Sequence, residues 1–261
     1  MLRVSRFRQV FSLFEKYRMA GDIAASQALT DEDVSRLAVE SKKILADRIC
    51  DVTESESRKF LLPVAPLDDS LMGRARWAVW GRGEGTQRFF RLSLERLENR
   101  KLQDILGVSS DFNSQLFWLF LHAWVLHGRM VVFDDGAQEE DYFEALFRVI
   151  DHWILAKEIP RHRLTLEIAN AQKHALSFCI ALDVACERPD ILPARIALAI
   201  NSVFPNAHAD LLTKYTLRQA SLALHLSRDH FLQGQFLWAD FPDRPPPLWR
   251  PTTKHTSSLF D

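Results

Sequence analysis

Cysteine is scarce in this chain. Cys50, Cys179 and Cys186 are the full set, and no two of them stand in a C-x-x-C spacing. A cysteine-based metal site is therefore not expected, and the fold must do without a disulfide framework or sit in a reducing compartment. Cys179 and Cys186 lie seven apart, near one face of a helix, which suits buried structural side chains. Charge excess is missing too: the formal net charge is -1, so the basic surplus that neutralises phosphates in a general nucleic-acid binder is absent. No long apolar run follows the first residues, which argues against a secretory signal. Alternating β-branched residues are almost lacking, which removes the main sequence sign of a sheet.

Catalytic signatures are equally thin. The nine histidines form no H-E-x-x-H and no i, i+4 pair; His122 and His127 are five apart, as are His225 and His230. No serine or cysteine stands in a recognisable nucleophile setting. Trp80 to Thr86, W-G-R-G-E-G-T, is glycine-rich but has no Lys-Ser/Thr and no preceding buried strand, so it reads as a loop rather than a phosphate cradle. The acids Asp134, Asp135, Glu139, Glu140 and Asp141 resemble half of a magnesium cluster of the kind all-helical prenyl-diphosphate enzymes use. Gly136 interrupts them and no second acidic cluster stands on a helix, so a solvated loop and helix start is the expectation. Neither a metal nor a cofactor is expected.

What the chain does have is one unusually apolar stretch. Leu116, Phe117, Trp118, Leu119, Phe120 and Leu121 follow one another without a polar break. Ser109, Ser110 and Asp111 stand before them, residue types that accept the free N–H bonds of a helix start. A helix from Phe112 to Met130 would be apolar nearly all round, and so must be buried among helices, in a membrane or against an apolar client. Its uncharged part carries Asn113, Ser114, Gln115, His122 and His127. Leu116 to Leu126 would cover only about 17 Å of the ~30 Å hydrocarbon core of a bilayer. The expectation is a soluble or peripheral protein in which His122 is a core histidine hydrogen-bonded to a neighbour.

Helical periodicity dominates the rest. Met1 to Phe14 holds Arg3, Arg6 and Arg8, no acid, and an apolar stripe of Phe7, Val10, Phe11 and Phe14. That composition predicts a mitochondrial presequence over residues 1–29, the alternative being a first helix with a basic face. Thr30-Asp31-Glu32-Asp33 resembles a capping box opening a helix toward Ile49. Residues 51–86, punctuated by Pro63, Pro66, Gly73, Gly81, Gly83 and Gly85, read as irregular. Further helices are predicted over 87–106 (closed by Gly107), 139–157, 162–186, 194–203 and 209–232. Asp243 to Pro251 should be an extended polyproline segment. The fold class is all-α: a single multi-helix, bundle-like domain. Its divisions are a helical and irregular N-terminal region over 30–104, the main domain over 105–242 and a Pro-rich tail over 243–261.

Two motifs carry a family resemblance. Phe112 to Met130, with Leu121, His122, Trp124, Arg129 and Met130 in register, resembles the signature helix of the ubiquinol–cytochrome c chaperone family. Far downstream, Tyr215 and Gln219 sit four apart as in that family, and Phe231 to Trp238, with Gly234 four before Trp238, resembles its closing element. Arg218 stands one position from where the family carries an arginine. The resemblance spans roughly residues 105 to 242. It implies an all-α, non-catalytic assembly factor for respiratory complex III, peripheral to the matrix side of the mitochondrial inner membrane. The implied partners are newly made cytochrome b, a small partner assembly factor and, in some lineages, the mitochondrial ribosome. Signature or client-binding candidates are then Phe117, Trp118, Leu121, His122, Trp124, Arg129, Tyr215, Gln219, Gly234 and Trp238. Most of the aromatic ones are expected to build the core, one edge of the helix lining a client groove. Arg129 is expected to meet a carboxylate or favour a helix C-terminus. The other readings are a structural subunit of a mitochondrial complex or ribosome, and a metal-dependent helical enzyme acting on isoprenoids or lipids.

Overall fold

The computed structural model describes residues 29–241 apart from Asp69, Asp134, Asp135 and Glu158. The expected presequence stripe, the Pro-rich tail and the Asp134–Asp135 pair lie outside the described residues. Among those described the chain is helical, with one isolated antiparallel bridge, Leu61 to Phe236, as expected of an all-α protein.

α1 (Asp31–Leu45) starts where its capping residues dictate. The Asp33 N–H donates to Thr30 Oγ1 at 3.2 Å, and the Thr30 N–H donates back to the Asp33 carboxylate at 3.4 Å. A short 3-10 turn (Arg48–Cys50) and α2 (Glu54–Ser57) follow. The next stretch departs from the sequence expectation. Instead of a glycine-broken loop there is α3 (Leu71–Arg76), a π turn (Trp77–Gly81) and α4 (Arg82–Glu98), joined without interruption. The glycines permit close packing rather than breaking the helix. A Cβ on Gly85 would lie 2.2 Å from the Leu232 carbonyl oxygen and 2.5 Å from Gln138 Nε2.

The predicted 87–106 helix divides at Asn99, whose side chain accepts from the Leu102 N–H and so starts α5 (Arg100–Leu106), which ends at Gly107 as expected. α6 (Phe112–Phe133) begins on Asp111, which accepts from the Ser114 N–H at 3.0 Å. After it come α7 (Gly136–Leu155), α8 (Arg161–Cys186), α9 (Leu192–Val203, with Pro193 in its first turn) and α10 (Ala209–His225). The predicted 209–232 helix also divides: Ser227 caps a separate α11 (Arg228–Leu232). That helix closes on Gly234, at φ +61°, where the Gly234 N–H donates to Phe231 O and the Gln235 N–H to His230 O.

α6 is the axis. Leu116, Trp118, Leu119, Phe120, Leu121, Ala123, Leu126 and Met130 are each at most 1% exposed, so every side of the helix is covered. It packs against α4, α7, α8 and α10. Each large buried side chain contributes about 2 kcal/mol of apolar transfer energy, enough for this one helix to dominate the core. At 22 residues α6 is longer than the apolar run alone, and by length and composition it would pass for a membrane span. Most of its apolar surface is instead committed to neighbouring helices, while Val131 and Val132 near its C-terminal end stay exposed.

Candidate functional site

His122 sits at the junction of α6, α10 and the closing segment. Its Nδ1 is 2.8 Å from the Trp118 carbonyl oxygen, which can only accept, so Nδ1 carries the hydrogen. Nε2 is then the acceptor, and the Tyr215 hydroxyl donates to it at 2.7 Å. Trp118 stacks on Tyr215 with centroids 5.4 Å apart, and Trp238 meets the imidazole edge-on at 5.1 Å. Both indoles are tied to α4: Trp118 Nε1 donates to Arg96 O at 2.8 Å, and Trp238 Nε1 to Leu92 O at 2.9 Å.

One turn beyond Tyr215, Gln219 clamps the chain at Ala239. Its amide donates to Ala239 O at 3.1 Å while its carbonyl accepts from Ala239 N at 2.9 Å. The structure thus brings Trp118, His122, Tyr215, Gln219 and Trp238 into one buried cluster, though they are spread over more than a hundred positions of sequence. Burial pushes the imidazole down to about 3 and raises the Tyr215 phenol above its ordinary value. Sealed from water and held neutral, the pair locks helices together and moves no proton near neutral pH.

The other signature residues lie around this cluster. Leu121 is 1% exposed in the core. Gly234 packs beside Gly85, where a Cβ would come 2.7 Å from that of Arg88. The Trp124 indole donates to the Asp183 carboxylate on α8 at 2.8 Å. Arg129 donates to the Leu226 carbonyl at 2.8 Å and lies 4.4 Å over the Phe133 ring. Leu226 caps α10, so this cation serves the C-terminal end of a neighbouring helix. Phe117 is half-buried, edge-on to Phe178 and Phe204, and lines a hollow of about 320 Å³ with Asp111, Asn113, Ser202 and Asn206. Of the ten signature residues, Phe117 and Arg129 alone keep partly exposed side chains.

One feature was undervalued by the sequence reading, as a loosely placed family arginine, and a second escaped it. Arg218 is 8% exposed and gathers distant segments: its guanidinium donates to Asp51 O at 2.9 Å, to Asp240 O at 2.6 Å and to the Glu56 carboxylate. The second is a surface. Leu71, Met72, Val79 and Trp80 are 84%, 74%, 67% and 69% exposed on the continuous α3–π-turn segment. The signal was in L-M-G-R-A-R-W-A-V-W, where apolar residues alternate with arginines and no acid intervenes, but its glycines read as breakers. Beside it a hollow of about 290 Å³ is lined by Pro66, Arg76, Trp77, Trp80, Arg88 and Gln233 among others. No group of three or more His, Cys, Asp or Glu side chains suited to a metal ion occurs among the described residues.

No curated protein matches this chain. Among solved structures it is similar to the crystal structure of a Cbp3 homolog from Brucella abortus. That likeness has a TM-score of 0.55 and 15% identity, over 66% of this chain and 97% of the other, and at such identity it is a likeness of fold. The ubiquinol-cytochrome C chaperone family matches residues 104–238, just over half of the chain, a stretch that contains the whole buried cluster and leaves Leu71 to Trp80 outside it. The chain belongs to the ubiquinol–cytochrome c chaperone family.

Proposed function

We propose that this protein is an assembly chaperone for respiratory complex III that holds newly made cytochrome b at the matrix side of the mitochondrial inner membrane, together with a small partner assembly factor and in reach of the mitochondrial ribosome. The observation that carries the reading is the family match over residues 104–238, the stretch that holds Leu121, His122, Trp124, Tyr215, Gln219, Gly234 and Trp238. The geometry is compatible with it. The candidate residues stiffen a helical scaffold, and Phe117 at the edge of α6 keeps a half-buried ring beside a hollow of about 320 Å³, apolar surface of the kind a protein handling apolar clients needs. Membership in a chaperone family also supports a non-catalytic role.

The test is removal of the gene. Mature complex III should be lost while the other respiratory complexes are largely spared, and tagged protein should co-purify with cytochrome b at an early assembly stage. An intact complex III in the knockout overturns the reading.

A further inference from the structure

The segment from Leu71 to Arg82 is an anomaly for a surface helix. Its inner side touches the protein through Gly73, Trp77 and Gly81, at i, i+4 spacing, while Leu71, Met72, Ala75, Ala78, Val79 and Trp80 all face out. Leu71, Met72, Ala75 and Val79 fall at i, i+1, i+4 and i+8, one apolar stripe along the segment. Arg74, Arg76 and Arg82 are interleaved with it, and no carboxylate occurs between Ser70 and Gly83. Of the flanking acids, Asp68 accepts from the Ser70 N–H at 2.9 Å and from its hydroxyl at 2.8 Å and lies near enough to Arg76 to feel its charge, Glu84 pairs with Arg88 at 3.7 Å, and Asp69 lies outside the described residues. The segment lies beside the end of α6. Between them lies a hollow of about 190 Å³ whose lining mixes Trp77 and Phe133 with the charged Asp68, Arg74, Arg82 and Arg228, and beyond it Val131 and Val132 are 58% and 61% exposed.

We propose that Leu71 to Arg82 docks the protein on a phospholipid surface of net negative charge. Trp80, Val79, Met72 and Leu71 enter the headgroup boundary, and Arg74 and Arg76 meet lipid phosphates. The argument is charge complementarity. An apolar protein helix satisfies the leucine, methionine and tryptophan but offers nothing to the interleaved guanidinium groups. A bilayer boundary presents apolar chains and phosphates within a few ångströms of each other, which is what a basic amphipathic helix with an interfacial tryptophan matches. This rests on the membrane-side address proposed above and deepens it: it assigns which surface, outside the family-matched residues, meets the lipid.

The test is co-sedimentation of the full chain with vesicles of phosphatidylcholine alone and of phosphatidylcholine mixed with phosphatidylglycerol. Binding is expected with the mixed vesicles only, and should weaken as salt shortens the screening length from about 10 Å at 0.1 M to about 3 Å at 1 M. Arg74→Gln with Arg76→Gln should weaken it about thirtyfold, since each arginine at a negative surface is worth about fivefold. Leu71→Ser, Val79→Ser and Trp80→Ser together should abolish it. All five side chains are exposed, so both variants should melt as the unaltered protein does, and a melting curve checks this. Equal binding to neutral and charged vesicles overturns the proposal. So does undiminished binding by folded variants, which would assign the lipid contact to another stretch such as the arginine-rich first fourteen residues. Variants that bind vesicles normally but no longer hold an apolar client helix would make the surface a protein site and overturn the proposal as well. None of these outcomes alters the complex III knockout result, so the two readings fail separately.

Discussion

At the scale of single residues, the His122–Tyr215 bond explains why histidine belongs in an apolar helix. A buried imidazole must satisfy two nitrogens, and the Trp118 carbonyl and Tyr215 hydroxyl do so from opposite sides. Tyr215→Phe keeps the ring and removes one donor, leaving Nε2 buried without it. Stability should fall by about 1–3 kcal/mol, read as a lower urea midpoint at unchanged slope. An unchanged midpoint would mean that the hydroxyl is dispensable. The same burial sets a pH dependence. His122 is pushed down to about 3 and His127 to about 4, both from an ordinary 6.5. Below pH 6.5 the unfolded chain takes up protons that the folded chain refuses. This contribution is therefore complete above 6.5 and declines toward pH 4, by up to about 1.4 kcal/mol per pH unit for each imidazole. Glu139, 3.5 Å from His127, opposes part of this: burial raises its pKa, so the fold prefers it protonated and loses some stability as its charge develops with rising pH. Although the spacing would suit an ion pair, dehydration drives both partners toward their neutral forms. Urea midpoints at pH 7.5, 6 and 5 should fall in that order, and His122→Gln should flatten the trend; a flat profile in the unaltered protein would contradict the assignment.

At the scale of elements, two neighbouring glycines of α4 should respond with opposite signs. Gly85→Ala forces a methyl group against the Leu232 carbonyl of α11 and should cost about 2 kcal/mol or more as the helices part. A methyl group on Gly83 would meet nothing within 4 Å, so Gly83→Ala should stabilise by about 0.5–1 kcal/mol through helix propensity alone. Calorimetric melting temperatures shifting down and up respectively would establish that α4 is a true helix held close to α11. The glycines were also where the sequence misled. Read locally they break helices, yet Trp77, Leu232 and Gln138 fill the space they leave. The α6, α7, α8 and α9 helices were legible because caps, prolines and apolar periodicity agreed. Breaks at Asn99 and Ser227 were not, because neither residue forbids a continuing helix; a bond to the new helix start decides each one.

At the scale of the whole molecule, Arg218 ties the two ends of the described chain to α10. Its bonds to Asp51 O and Glu56 hold the N-terminal turns, and its bond to Asp240 O holds the closing segment. Arg218→Met keeps most of the stem but strands four acceptors, the Ile49, Asp51 and Asp240 carbonyl oxygens and the Glu56 carboxylate. It should cost about 3 kcal/mol and speed amide hydrogen exchange at both Val52 and Ala239. Faster exchange at one site only would show that the two ends are held independently. The long-range partners of this residue explain why it was undervalued: its sequence neighbours give no hint that segments some 167 positions upstream and 22 downstream converge on it. The buried cluster was partly legible for a different reason. Leu121, His122 and Trp124 are close in sequence, and Tyr215 with Gln219 shows helical spacing, but nothing local says that the Tyr215 hydroxyl meets His122.

By itself the sequence determined the helical class, because apolar periodicity and capping residues act within a few positions of one another. It also determined that α6 must be buried, because a helix apolar on all sides has no stable place in water. Tertiary structure alone decided what buries α6, which residues the imidazole and Arg218 bind, and that Leu71 to Trp80 forms an exposed helical segment rather than a loop. Those outcomes depend on which distant surfaces arrive at the same place, and contacts of that range leave no periodic trace in one chain read alone.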